Sequence, residues 1–115
     1  MDRNKMKAEI KELLSANFKK LGFKVIHFNT HEFKNGVDLW VQKDNGRPLS
    51  VEIKIARRQK NNCYQVDPVQ PKRKSDDLIA IILNSEYVLI ESMQDHIKCC
   101  STKGTRQFTL LCGKN

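Results

Sequence analysis

Two neighbouring segments, residues 37–42 and 49–55, alternate apolar and polar side chains. A period of two is typical of β-strands that bury one face. Between them lies Asp44-Asn45-Gly46, a polar run with glycine that is typical of a hairpin loop. The pattern therefore predicts an antiparallel hairpin around which the rest of the chain has to build its core.

The register of this hairpin follows from its two faces, because a shift by one residue would place apolar side chains opposite polar ones. A three-residue loop with Gly46 in the left-handed conformation satisfies this condition. The resulting cross-strand pairs are Val37 with Ile53, Leu39 with Val51, and Asp38 with Glu52. Two carboxylates are thus predicted to meet on the polar face, which also carries Lys54.

The segments around the hairpin predict a single α/β domain over residues 1–115, with an N-terminal helix packed on a mixed β-sheet. Residues 4–21 place apolar side chains at helical spacing and are followed by Gly22, which is suited to end the helix. The remaining predicted elements are strands at 23–30, 78–84, 87–92 and 106–111 and a short helix within 93–100.

The stretch 56–77 is polar and basic, and Pro68 and Pro71 exclude a long helix from it. Within it, residues 63–69 are predicted to form only a short edge strand. Two basic clusters belong to this stretch, Arg57, Arg58 and Lys60 at its start and Lys72, Arg73 and Lys74 near its end. We expect both clusters to flank one groove and bind DNA phosphates, although two solvated loops would give the same pattern.

The charge balance favours a polyanionic partner. The chain has 21 Lys and Arg residues against 13 Asp and Glu residues, a formal net charge of +8 in 115 residues. Such a field attracts nucleic acid before any specific contact forms. No window is apolar enough for a membrane span, and the N-terminal segment MDRNKMKAE lacks the apolar run of a signal peptide. We therefore expect a cytoplasmic protein that binds no membrane.

The facing carboxylates of Asp38 and Glu52 repel each other and require a compensating cation. A divalent metal bound by these two side chains and by a neighbouring main-chain carbonyl, that of Ile53, would have the hard oxygen ligands that suit Mg²⁺. Mn²⁺ is expected to substitute for it. Lys54 lies on the same face and would orient or help to deprotonate a water molecule.

These residues resemble the PD-(D/E)XK nuclease superfamily: Gly36-Val37-Asp38, thirteen intervening residues, and then Glu52-Ile53-Lys54. The resemblance covers residues 5–58 and is greatest to small Holliday-junction-resolvase-like and phage-type endonucleases. It implies a restriction-endonuclease-like core, a Mg²⁺ site at the acidic pair, support of the attacking water by Lys54, and completion of the metal site by Glu9 on the first helix. Val37 stands where many members have proline, and the second core helix is short, displaced or absent here.

The sequence leaves three functions open. The favoured one is a metal-dependent endonuclease that hydrolyses DNA phosphodiester bonds, and a homodimer would suit it if both strands are cut. The second is a non-catalytic nucleic-acid-binding module with the same fold and charge. The third is a basic protein that binds an acidic partner protein. Intact Asp38, Glu52 and Lys54 favour the first.

Overall fold

The computed structural model describes residues 3–28, 37–60 and 62–109, with side chains from residue 8 onward. Gly36 of the motif therefore lies outside the described residues. The helices are α1 (Arg3–Lys20) and α2 (Met93–Lys98), with one 3₁₀ turn at Pro71–Arg73. The strands are β1 (Lys24–Phe28), β2 (Leu39–Gln42), β3 (Leu49–Ile55), β4 (Arg57–Arg58), β5 (Cys63–Val66), β6 (Leu78–Ile82), β7 (Val88–Ser92) and β8 (Arg106–Thr109).

Five strands form the main sheet in the order β1-β2-β3-β6-β7. The β3–β6 pair is parallel and the other three pairs are antiparallel. The predicted α/β architecture, an N-terminal helix on a mixed sheet, is therefore confirmed. The strand β3 occupies the middle of the sheet, and its residues Ser50, Val51 and Glu52 are buried.

Helix α1 packs on one face of this sheet because its apolar residues recur at helical spacing. Leu14 and Phe18 are fully buried there. The helix ends at Lys20, and Gly22 follows it in the predicted role of a left-handed residue that stops the helix, with a φ of 87°. The N–H of Gly22 donates to the carbonyl of Lys19 at 2.9 Å and that of Phe23 to the carbonyl of Phe18 at 2.9 Å, which satisfies the last carbonyls of the helix.

The opposite face of the main sheet is covered by a second sheet that the sequence did not predict. Its order is β4-β5-β8, so β5 is a central strand, and the prediction of an edge strand within 63–69 was wrong. The pairing of β5 with β8 joins Cys63 to Thr109, and such a long-range contact leaves no local sequence pattern. Tyr64 and Val66 of β5 are buried in one apolar cluster with Ile79 and Ile81 of β6.

The hairpin of β2 and β3 has the predicted register, since Leu39 pairs with Val51. The ladder begins at that pair, so Asp38 lies immediately before β2 and outside the strand. The loop differs from the prediction in its conformation: Asp44, with a φ of 50°, is the left-handed residue. Gly46 leaves little room for a side chain, because a Cβ there would lie 3.1 Å from the carbonyl oxygen of Lys43.

Across the three described ranges, no helix has the length and apolar character needed to cross a membrane.

Candidate active site

The sequence-predicted acidic pair and lysine meet in one cavity of about 310 Å³. Glu52 and Lys54 lie two residues apart on β3 and therefore project from the same face of the sheet. Asp38 reaches the cavity from the start of the neighbouring strand. The walls are completed by Ile10 of α1, Ile53 and Ile55 of β3, and Gln70 and Arg73 of the 3₁₀ turn region.

Asp38 and Glu52 are both buried, with 4% and 8% of their surface exposed. One carboxylate oxygen of Asp38, Oδ2, accepts a hydrogen bond from the main-chain N–H of Ile53 at 3.0 Å. This bond links Asp38 to β3 beyond the end of the β2 ladder. The carboxyl groups of Glu52 and Asp38 interact directly, and this interaction contributes to the raised pKa of Glu52. The backbone and the partner carboxyl thus hold both side chains in place.

Burial raises the pKa of Glu52 from 4.5 to about 8. The hydrogen bond and the negative charge of Asp38 raise this pKa as well, while the positive charges of Lys54 and Arg73 lower it. In the absence of a bound cation, the Asp38–Glu52 pair therefore holds a proton at neutral pH. Buried acidic groups with a shifted pKa are frequent in sites that bind a cation or exchange a proton.

This pKa makes the stability of the metal-free protein depend on pH. Between about 4.5 and about 8 the folded protein binds more protons at Glu52 than the unfolded chain does, so the free energy of unfolding falls as the pH rises. The loss is expected to be on the order of a few kcal/mol. Urea unfolding in EDTA at several pH values measures it, and Glu52→Gln is expected to remove this slope.

The comparison with Glu52→Gln tests the Asp38–Glu52 pair, because Asp76, Asp77 and His96, whose pKa values are also shifted, remain in both proteins. Glu86→Gln, on an exposed turn, is the matched control and should keep the wild-type slope. A Glu52→Gln protein with the wild-type pH dependence would contradict the assigned protonation of Glu52.

The donor set of the cavity suits a magnesium ion. Asp38 and Glu52 offer carboxylate oxygens, and Ile53, which also lines the cavity, offers a main-chain carbonyl. Nowhere in the described ranges do three or more His, Cys, Asp or Glu side chains form a group that could hold a metal. Mg²⁺ needs no such group, because it is commonly bound through one or two carboxylates and keeps several water molecules.

Glu9, which the family resemblance places at the metal site, does not line the cavity of the acidic pair. It is exposed and lines a separate cavity with Ile82 and Asn84. The next residue on α1, Ile10, lines both this cavity and that of Asp38. One residue corresponds to about 100° around a helix, so the phase of α1 turns an apolar side chain to the acidic pair.

Lys54 and the residues of the two basic clusters lie in different parts of the structure. The Nζ atom of Lys54 donates a hydrogen bond to the carbonyl oxygen of Pro68 at 3.2 Å. Of the six predicted DNA-binding residues, only Arg73 lines the acidic cavity. Arg57 is exposed on β4 and pairs with Asp67 at 2.8 Å. Arg58, Lys60, Lys72 and Lys74 are also exposed.

Two residues near the acidic pair were missed by sequence reasoning. Gln70 lines the cavity from an irregular segment, and no local pattern marks it. Asp76 is 9% exposed, and its Oδ2 atom has no hydrogen-bond partner. Burial raises the pKa of Asp76, and the charge of Asp38 raises it too, so the two carboxyls interact. Its only sequence signal is its place two residues before a predicted buried strand.

The chain matches no protein-family model and no curated protein. Its fold is similar to the solved structure of a bacterial homing endonuclease, I-Ssp6803I, with a TM-score of 0.70. The similarity covers 100% of this chain and 81% of that chain, at 18% sequence identity. At this identity the likeness establishes a shared fold, and the chemistry has to be argued from the residues of the site.

Proposed function

We propose that this protein is a metal-dependent endonuclease that hydrolyses DNA phosphodiester bonds, with Asp38, Glu52 and Lys54 as its catalytic residues. The observation that carries the proposal is the buried Asp38–Glu52 pair, which shares a cavity with Lys54. A net charge of +8 supports a nucleic-acid substrate. The fold shared with a homing endonuclease is consistent with the same class of activity.

Asp38, Glu52 and the carbonyl of Ile53 would hold Mg²⁺, and Mn²⁺ should substitute. When bound, such an ion supplies a Lewis acid that lowers the pKa of water and withdraws charge from a phosphoryl oxygen. Glu52 has to release its proton before it can act as a ligand. Asp38 followed by Glu52-Ile53-Lys54 is the part of the sequence that supports membership of the PD-(D/E)XK superfamily.

Lys54 and Arg73 are the two cations that line the cavity. The hydrogen bond to Pro68 fixes the ammonium group of Lys54 at the wall of the cavity, where it can orient the attacking water and offset charge in the transition state. Arg73 offers a planar guanidinium group, which suits the oxygens of the phosphate to be cleaved. Cleavage of both strands of a duplex would require two copies of the chain.

The test is incubation of the purified protein with plasmid, linear, single-stranded and four-way-junction DNA, in Mg²⁺, in Mn²⁺ and in EDTA. We expect cleavage of at least one of these DNA forms in either metal and none in EDTA. Salt-sensitive DNA binding with no cleavage in either metal would favour the non-catalytic binding module. The absence of any DNA binding would favour a basic protein with an acidic protein partner.

A further inference from the structure

A second cavity, of about 360 Å³, lies beside the candidate active site. The two cavities share a wall, because Lys54 lines the first, Pro68 lines the second, and a 3.2 Å hydrogen bond joins them. The segment that contains the 3₁₀ turn contributes to both: Gln70 and Arg73 face the first cavity, whereas Pro71 and Lys74 face the second. A ligand that spans this segment would therefore touch both cavities.

The lining of the second cavity combines cations with apolar surface. Lys74 and Lys103 are its two cationic residues, and none of its lining residues is acidic. Pro68, Pro71 and Ile97 provide apolar walls, and Ile97 remains 39% exposed. Phosphates are held by lysine, and a base has flat apolar faces that need such walls. The volume lies in the range of pockets that bind small ligands.

The far wall of this cavity is a tightly bonded turn. The N–H of Ser101 donates to the carbonyl of Thr105 at 2.7 Å, and that of Gly104 donates to the carbonyl of Ser101 at 2.9 Å. Gly104 has a φ of 86°, and a Cβ on it would lie 3.1 Å from the Cβ of Pro68. The positive φ favours glycine, and the close approach to Pro68 leaves little room for a side chain. Lys103, next to this glycine, also lines the cavity.

We propose that the second cavity receives one unpaired nucleotide of the DNA substrate, with its base between Pro68, Pro71 and Ile97 and its phosphate at Lys74 and Lys103. This inference rests on the proposed function and specifies its substrate. A base paired within a duplex is stacked on both faces and cannot enter such a pocket without being extruded. The protein should therefore prefer DNA that carries an unpaired nucleotide to fully paired duplex.

The test measures binding of the wild-type protein in EDTA, where cleavage does not interfere. Three DNAs are compared: a short duplex, the same duplex with one unpaired thymidine, and a third in which the extra nucleotide is abasic. Insertion of the thymine base into the cavity is expected to make the duplex with the unpaired thymidine bind about tenfold more tightly than the plain duplex. The abasic DNA, which has the same backbone charge, should bind like the duplex.

The variants Lys74→Ala and Lys103→Ala should each weaken binding of the DNA with the unpaired thymidine more than binding of the duplex, so that most of the preference is lost. Lys98→Ala is the matched control, since Lys98 is an exposed lysine on α2 that does not line the cavity. Equal affinity for all three DNAs would overturn the proposal. So would an equal loss of affinity for all three in the Lys74 and Lys103 variants, because those lysines would then form a general phosphate-binding surface.

Cleavage assays in Mg²⁺ separate this proposal from the proposed function. Cleavage without any preference for the unpaired thymidine would overturn the nucleotide pocket and keep the nuclease. Preferential binding of the unpaired thymidine, lost in Lys103→Ala, would support the pocket even if no DNA form were cleaved. Circular dichroism of each variant shows whether it is folded, and both substituted lysines are exposed, so the fold should be retained.

Discussion

Replacing Asp38 by Asn, or Glu52 by Gln, is expected to reduce DNA cleavage by at least about a thousandfold. Each change removes one negative oxygen ligand without altering the size of the side chain. In Asp38→Asn, the amide oxygen of the new side chain can still accept the hydrogen bond from the N–H of Ile53, so the fold should be retained. DNA binding should be equal or tighter, because the change also removes repulsion toward phosphate.

The cleavage rate and the DNA affinity are measured on the same preparations. Glu86→Gln serves as the matched control, because it makes the same carboxyl-to-amide change on an exposed turn and should cleave like the wild type. Cleavage at the wild-type rate by either Asp38→Asn or Glu52→Gln would place the active site elsewhere. Loss of DNA binding along with cleavage would show that the substitution had disturbed the fold or the groove.

Lys54→Ala should lower the single-turnover cleavage rate by a factor of about 10² to 10⁴, the usual effect of removing a group that assists proton transfer. The Mg²⁺ concentration for half-maximal activity should stay nearly the same, because Lys54 is assigned to the attacking water and not to the metal. This difference between rate and metal dependence separates Lys54 from the acidic pair.

Lys60→Ala is the control for Lys54, since it removes one positive charge a short distance further along the chain at an exposed position. It should affect the salt dependence of binding more than the cleavage rate. If Lys54→Ala and Lys60→Ala reduced cleavage equally, Lys54 would be one more surface cation. A large rise in the Mg²⁺ requirement of Lys54→Ala would instead tie the lysine to metal binding.

The fold and the acidic pair could be predicted because both depend on short-range patterns. The alternation in β2 and β3 set the register, and the register brought Asp38 beside Glu52 without any knowledge of the rest of the chain. The helix α1 and its end at Gly22 followed from spacing and from the need for a left-handed residue. Each of these features is decided within a few residues.

The remaining features depend on contacts between distant residues. The second sheet forms because β5 pairs with β8, which begins at Arg106. The place of Glu9 depends on helix phase: one position separates it from Ile10, and only the packing of α1 decides which of them lines the cavity of Asp38. Gln70 reaches the site from an irregular segment, and backbone without a repeating pattern gives no sequence signal for where a side chain points.

The most direct test of the proposed active site is a Mg²⁺ titration of the single-turnover cleavage rate, with wild-type protein and Glu52→Gln measured on the same DNA. We expect no product from the wild type in EDTA, a rate that rises with Mg²⁺ to a plateau, and no product from Glu52→Gln at any Mg²⁺ concentration although it binds the DNA. Cleavage by the wild type in EDTA, or a Glu52→Gln curve that follows the wild-type curve, would contradict the assignment.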